Sequence, residues 1–463
     1  MFRDAYTKWT TLFFFAMAVF AIVFAKERFQ ADGAHYLLHV VQSEDFRIEH
    51  QRYILVFSQA LAWIGVQFGA PLNLVFILNS LNAVLWFYVL FQYAVHYLKD
   101  RHAGIAIILT SVLGVLHIQF VPMYEIYYGI PLVILVYAHL RNNKVSTVAE
   151  MILFLGILVT ALFAHPLLPI PLVFAFIYHA IETRKLNWKM LIPVALVFAG
   201  WYIAKKLMLT EYEAGKVSLL SAEWNTSPDH LLQPAYYRGL AKFFLTWYTV
   251  PVLLLTWTIV FFLLRKMRWQ LFTTIAFFAG HILIVNYTHD NYPELTPYFE
   301  RMYLPLIPIV LIPFLFTLCR ELQFSHSFIM ITLLLVVAWR IGRFTDVGMD
   351  YKQRTEQTTQ LIHFAQQQKG SKFQMDVNDS FTCFKWADWS FPMETLLRST
   401  AENPLRRITI VTDEDLRENG NREKLDDDEF LFRRWEIMKD RDLNPRYFTL
   451  MPGKYVVLAP FCK

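Results

Sequence analysis

Long apolar runs alternate with short polar breaks along most of the chain, and the first break is unlike the rest. Trp9 to Ala25 is apolar and bounded by Lys8 and Lys26. The run exceeds a signal-peptide core and has no small-x-small cleavage site, so it is expected to stay as an anchor. Behind it comes KERFQADGAHYLLHVVQSEDFRIEHQRY, Lys26 to Tyr53, which crowds carboxylates, imidazoles and arginines together. Read as a helix, it puts Asp32, His35, Tyr36 and His39 at i, i+3, i+4 and i+7 on one polar face. Leu37, Leu38, Val40 and Val41 cover the other. The pattern predicts a helix lying at a membrane interface. Ionisable groups so close to lipid are costly, which favours a functional Asp32 over a merely solvated loop.

The next run, Tyr53 to Gly69, decides the parity of everything after it. Gln59, Trp63 and Gln67 recur every four residues, a stripe suited to a helix half sunk in the interface. If this run does not cross, the later spans are expected near 72–98, 103–121, 124–140, 148–164, 167–182, 190–209, 239–264, 271–286, 301–318 and 327–342. Arg3 and Lys8 then share a side with Lys99/Arg101, Arg141/Lys144, Arg184/Lys185/Lys189, Arg265/Lys266/Arg268 and Arg320. Cytoplasmic loops are enriched in Lys and Arg, so this arrangement predicts eleven spans, the N-terminus inside and the C-terminus outside. The outer side collects the Lys26 to Tyr53 stretch, Met123-Tyr124-Glu125, His165-Pro166, the loop Thr210 to Arg238 and the loop Tyr287 to Tyr303. Chemistry is therefore expected on the outer face.

After Gly342 the pattern turns polar. Residues 1–344 read as a transmembrane domain and 345–463 as a small exported α/β cap. Gln353 to Gln368 predicts a helix, Arg407 to Thr412 and Lys454 to Ala459 predict strands, and Glu418 to Glu429 a solvated loop. Asp426-Asp427-Asp428 fits a solvated charge run better than a cation site. No Walker, zincin or dinucleotide signature and no 20–50-residue repeat occurs.

Composition agrees with a membrane bundle. Hydrophobic residues make up 56% of the 463, above the range of soluble domains. The net charge of +5 is modest and no basic array suggests nucleic acid. Cys319, Cys383 and Cys462 lack metal-ligand spacing; a Cys383 to Cys462 disulfide and two separate thiols both fit. His35 and His39 with Asp32 have spacing compatible with a divalent cation, but no further carboxylate stands close by, so no metal site is assigned.

QADGAHY (Gln30 to Tyr36), the HQRY to FGAPLN stretch (His50 to Asn73), MYEIYYG (Met123 to Gly129) and ERMYLPLIP (Glu300 to Pro308), with His165-Pro166 as a weaker fifth, follow one another in a suggestive order. Over residues 1 to 345 this order resembles the GT-C superfamily of integral membrane glycosyltransferases. More narrowly, it resembles the bacterial members related to protein O-mannosyltransferases and lipid A aminoarabinose transferases. The first outer loop of that superfamily often carries paired acidic residues, whereas Asp32 is followed by Gly33. The resemblance implies an all-α polytopic bundle with interfacial helices, in a bacterial inner membrane. It implies an inverting transfer of sugar from a polyprenyl-phosphate donor to a hydroxyl of a lipid, glycan or protein acceptor, without an assigned cofactor. Asp32 would be the general base and Arg301 would hold the donor phosphate, unless Arg301 snorkels and pairs with Glu300. Glu125, His165 and His35 would bind substrate, though Glu125 also suits an arginine partner that ties the bundle together.

Other classes fit parts of this pattern. A lipid flippase or transporter is expected to show related halves and ionisable residues at the midplane. Here the polar residues gather at span ends and no related halves appear. A polysaccharide ligase or polymerase would share the charge map, and a noncatalytic scaffold would leave the polar collection near Asp32 unexplained.

Overall fold

A computed structural model describes residues 2–184, 188–211, 213–215, 218, 231, 233–287, 297–324, 326–376, 389–420 and 424–459. The fold is mostly helical. Its first helices are α1 (Phe2–Val23), α2 (Asp32–Ser43), α3 (Leu55–Gln67), α4 (Leu72–Gln92), α5 (Arg101–Val112), α6 (Glu125–Arg141), α7 (Val148–Leu162), α8 (Pro169–Thr183) and α9 (Trp188–Leu207). Then come α10 (Pro234–Trp247), α11 (Thr249–Leu264), α12 (Arg268–Tyr287), α13 (Pro297–Tyr303), α14 (Leu306–Leu311) and α15 (His326–Gln366). The C-terminal part adds β1 (Lys372–Met375), α16 (Phe391–Glu402), β2 (Thr409–Thr412), α17 (Asp413–Arg417), β3 (Glu429–Arg433), β4 (Glu436–Lys439) and β5 (Val456–Val457).

Five stretches among the described residues are helical, long and apolar enough to cross a membrane: Tyr6–Val23, Leu72–Tyr97, Met190–Leu207, Arg268–Tyr287 and Phe299–Glu321. These are the features of a helical membrane protein. Length and composition alone do not establish the expected eleven spans among the described residues. The 239–264 run is two helices, α10 and α11, bent by 93° at their junction, and counting them as one span raises the total to six. The 103–121 run ends as a helix at Val112. There Arg340 Nε donates to the Val112 carbonyl at 2.9 Å, and Gly114 turns the chain at φ +69°. α5, α7 and α8 have 12, 15 and 15 residues, about 18–22 Å of helix against a hydrocarbon core of about 30 Å. α6 is buried over nearly its whole length and forms the centre of the bundle.

α3, the helix in the Tyr53 to Gly69 run, has 13 residues and packs as a hairpin against α4. Its polar stripe is used inside the protein. Gln59 exchanges hydrogen bonds with the Arg47 backbone at 2.8 Å in both directions, while Trp63 Nε1 and Gln67 Nε2 donate to the Glu44 carbonyl. The stripe thus clamps the loop that leads away from α2.

α15 runs unbroken for 41 residues, about 60 Å, so the expected span at 327–342 and the expected helix at 353–368 lie on one rod. Position 344/345 falls within it. The cap beyond holds a parallel sheet in the order β2-β1-β5, with Phe373 level with Ile410 and Val456, and an antiparallel β3-β4 hairpin. The strands expected at 407–412 and 454–459 are β2 and β5. α16 packs on β2 and also on α2 and α4. A single apolar cluster joins Ala34, Leu37, Leu38, Val40 and Val41 of α2 to Met393, Leu396, Leu397, Phe430 and Phe432 of the cap. The apolar face of α2 is therefore covered by protein where an interfacial helix would have offered it to lipid.

Candidate active site at the start of α2

A tight turn delivers Asp32 to the first position of α2. Ala31 sits at φ +48°, ψ −126°, a conformation that only glycine adopts without strain, and such strain concentrates at functional sites. Gly33 cannot carry a side chain, since a Cβ there would stand 2.9 Å from the Arg28 carbonyl oxygen. Arg28 anchors the turn from below. Its guanidinium is buried and donates to the carbonyl and hydroxyl of Ser80 and to Gln119 Oε1 at 3.0–3.2 Å.

Asp32 faces Arg301, with Oδ2 to Nη1 at 3.9 Å. That is an ion-pair distance, too long for a hydrogen bond. Both groups keep a path to solvent, 32% of the Asp32 side chain and 22% of the Arg301 side chain being exposed, although protein surrounds them. Arg301 also lies over the Tyr124 ring, 5.1 Å from its centroid. Glu300 does not pair with its neighbour Arg301. Its buried carboxylate accepts from the backbone N–H groups of His117 and Ile118 at 3.0 and 2.8 Å, closing a 3-10 turn. Snorkelling with a Glu300 partner is thus not the arrangement of Arg301.

Glu125, at the start of α6, accepts from Arg52 Nη1 at 3.0 Å and Tyr36 OH at 3.4 Å. The arginine partner that its sequence position suggested is Arg52. His35 is buried and contacts Glu49 through Nε2 at 3.0 Å, with Arg47 Nε on the same Glu49 oxygen at 3.2 Å. His35 therefore stands behind Asp32 in a packed wall, its ring also against His39, Tyr36 and the cap residue Trp389. His165 accepts from the Leu167 N–H at 3.2 Å and feels the charges of Arg52, Arg301 and Lys205. Lys205 pairs with Glu213 at 3.2 Å and donates to the His50 carbonyl at 3.0 Å.

These fields set the proton affinities. Burial raises the Asp32 carboxyl above its usual range, Arg301 and His35 oppose the rise, and the carboxylates of Glu125 and Glu49 add to it. Burial would also raise Glu49, but the hydrogen bond and charge of His35 and the guanidinium of Arg47 bring it down to about 2. Burial, then the neighbouring His35, push His39 down to about 3. Burial, followed by the arginines and Lys205, holds His165 well below its usual value. Asp32 is thus a carboxylate of increased proton affinity whose nearest charges are Arg301, Glu125, His35 and the anionic Glu49.

Sequence reasoning missed Arg52, Glu49 and Tyr124. Arg52 stood within the HQRY motif and Tyr124 within MYEIYYG, so the signal was present at motif level. No three His, Cys, Asp or Glu side chains among the described residues group as metal ligands. Cys319 is buried, whereas Cys383 and Cys462, and most of the loops 210–238 and 287–303, lie outside the described residues. Comparisons with protein-family models, curated proteins and solved structures return no match to the chain.

Proposed function

We propose that this chain is an inverting glycosyltransferase of GT-C type. It moves a sugar from a polyprenyl-phosphate donor to an acceptor hydroxyl at the outer face of a bacterial inner membrane, with the N-terminus cytoplasmic and the cap periplasmic. What carries the reading is the pairing of Asp32 with Arg301 at 3.9 Å, both side chains partly open to solvent. Sequence likeness nominated both, from opposite ends of the helical part. Asp32 accepts no hydrogen bond from any described residue, so its oxygens are available to a ligand. In the reaction it takes the acceptor hydroxyl's proton while that oxygen bonds to the sugar's anomeric carbon. The bond from that carbon to the phosphate oxygen breaks, and the electron pair leaves on the lipid phosphate. A base placed in this way contributes about 10²–10⁴-fold. Arg301 offers the departing phosphate a charge-assisted, two-pronged contact. Glu125, held by Arg52 and Tyr36, and His165, kept neutral, border the same region and suit sugar or acceptor hydroxyls. No divalent cation is required by these steps.

The donor contact is tested with purified protein and a labelled polyprenyl-phosphate sugar. Arg301→Ala is expected to lower kcat/KM for the donor about 10²–10³-fold, the scale of losing one pre-placed electrostatic contact in a transition state. Arg301→Lys should recover part of it as a point charge. Unchanged dependence on donor concentration in Arg301→Ala would remove the phosphate role.

A further inference from the structure

The β3-β4 hairpin carries two aromatic rings to the polar side of α2. Trp435, at its tip, stacks on Trp389 with ring centroids 5.2 Å apart and planes 29° off parallel. Trp389 in turn meets His35 edge-on at 5.4 Å, and Phe432 of β3 meets His39 at 5.2 Å. His35 lies one helical turn from Asp32, so the Trp389 ring and the carboxylate share one face of α2 at neighbouring positions. Trp435 is 54% exposed, an unusual setting for the largest apolar side chain. Charge lies against it: Arg433 sits over the indole, 5.3 Å from its centroid, and pairs with Glu436 at 2.5 Å, and Arg434 is held by Asp415 at 2.6 Å.

From this juxtaposition we infer that Trp435 and Trp389 form a carbohydrate-binding shelf which seats a sugar ring of the acceptor beside Asp32. An indole face is negative, and the C–H bonds on one side of a pyranose present a weakly positive, apolar surface that stacks on it. The ring's equatorial hydroxyls then project outward, where a guanidinium donates and a carboxylate accepts; Arg433, swung off the exposed indole by the incoming sugar, and Glu436 supply both. A lipid alcohol would need an apolar slot without such a rim. A peptide would need backbone partners, which a hairpin tip does not offer. The acceptor class that fits is a glycan. Its role as acceptor rests on the transferase reading, whereas the binding itself does not.

The test uses full-length protein in nanodiscs on an array of bacterial surface polysaccharides and their oligosaccharide fragments. Wild type is expected to bind a subset of the glycans, and Trp435→Ala to bind that subset at least about tenfold more weakly. Trp435→Phe, which keeps a smaller ring face, should lie between. The tip position of Trp435 lets these variants fold, which an unchanged melting temperature verifies. Equal binding by Trp435→Ala, or no glycan bound by wild type, overturns the shelf. So does a Trp435→Ala protein whose only change is weaker association of the cap with anionic liposomes, which would make the tip a membrane anchor. Loss of glycan binding in Trp435→Ala together with normal transfer by Asp32→Asn would leave the shelf standing and remove the transferase mechanism.

Discussion

Asp32→Asn is expected to abolish sugar transfer, by about 10²–10⁴-fold, in a protein that folds as well as the original. Asparagine keeps the shape of the side chain and loses the basic oxygen. No hydrogen bond from a described residue is lost with it, only the 3.9 Å ion pair with Arg301. Because burial raises the Asp32 carboxyl, ionising it costs more in the folded protein than in the unfolded chain. Neutralising it should leave the melting temperature unchanged or slightly raised near neutral pH. The sign of the pH dependence follows. Transfer needs the carboxylate, so turnover should fall as pH drops through the raised value, earlier than an ordinary aspartate would titrate. That limb should vanish in Asp32→Asn. Turnover at the wild-type rate in this variant would remove Asp32 as the base.

The largest loss of stability is expected from Glu394→Ala, a residue on α16 to which no substrate contact is assigned. Its side chain is 0% exposed and binds two arginines. Arg354 of α15 donates to both oxygens at 2.7 Å, and Arg398 Nε donates to Oε1 at 2.8 Å. Arg398 also reaches back to the Lys26 carbonyl at 2.9 Å and lies 4.4 Å over the Phe29 ring. Removing the carboxylate leaves two buried guanidinium groups facing one another, and breaking such an arrangement costs about 3–5 kcal/mol. The loss should appear as a lower unfolding midpoint and faster proteolysis between cap and bundle. Because Arg398 grips residues just ahead of Gln30, Ala31 and Asp32, transfer should weaken as well. Burial alone would raise the Glu394 carboxyl, but the two arginines outweigh it and hold it below its ordinary value. Its stabilisation is thus present above the ordinary glutamate range and fades as pH falls through the depressed folded value. Wild-type stability in Glu394→Ala would show that the cap is held by its apolar contacts alone.

Much of the helical pattern was legible because apolar runs and polar breaks are set by local composition. Long-range packing decided the places that were not. The run 239–264 carries one charge, Lys242, and a proline, Pro251, which lacks the N–H that an unbroken helix would bond to Trp247, and it bends sharply between Trp247 and Thr249. There Tyr248 turns inward toward the carbonyls of Gly114 and Glu300, contacts that no local pattern encodes. The early end of α5 did leave a mark, since Gly114 just past a helix end is a common stop signal. The drop in hydropathy at Arg343 looked like a boundary, but no proline follows and the glycines at 342 and 348 are tolerated, so α15 continues to Gln366. For the site, Asp32, Glu125 and Arg301 were found through short motifs. Their partners Arg52 and Tyr124 were not singled out, because which charge meets which depends on how α2, α6 and α13 converge. The apolar face of α2 was misjudged for a related reason. A stripe of Leu and Val reads the same whether lipid or a folded cap covers it.

The most direct measurement of whether transfer takes place between Asp32 and Arg301 is a cryo-EM map of the full chain in nanodiscs with undecaprenyl phosphate. Density for the phosphate on the Arg301 guanidinium, within reach of a hydroxyl placed at Asp32, with the isoprenoid leading away into the bilayer, is the expected result. A phosphate bound elsewhere, with the Asp32–Arg301 ion pair left intact, would contradict it.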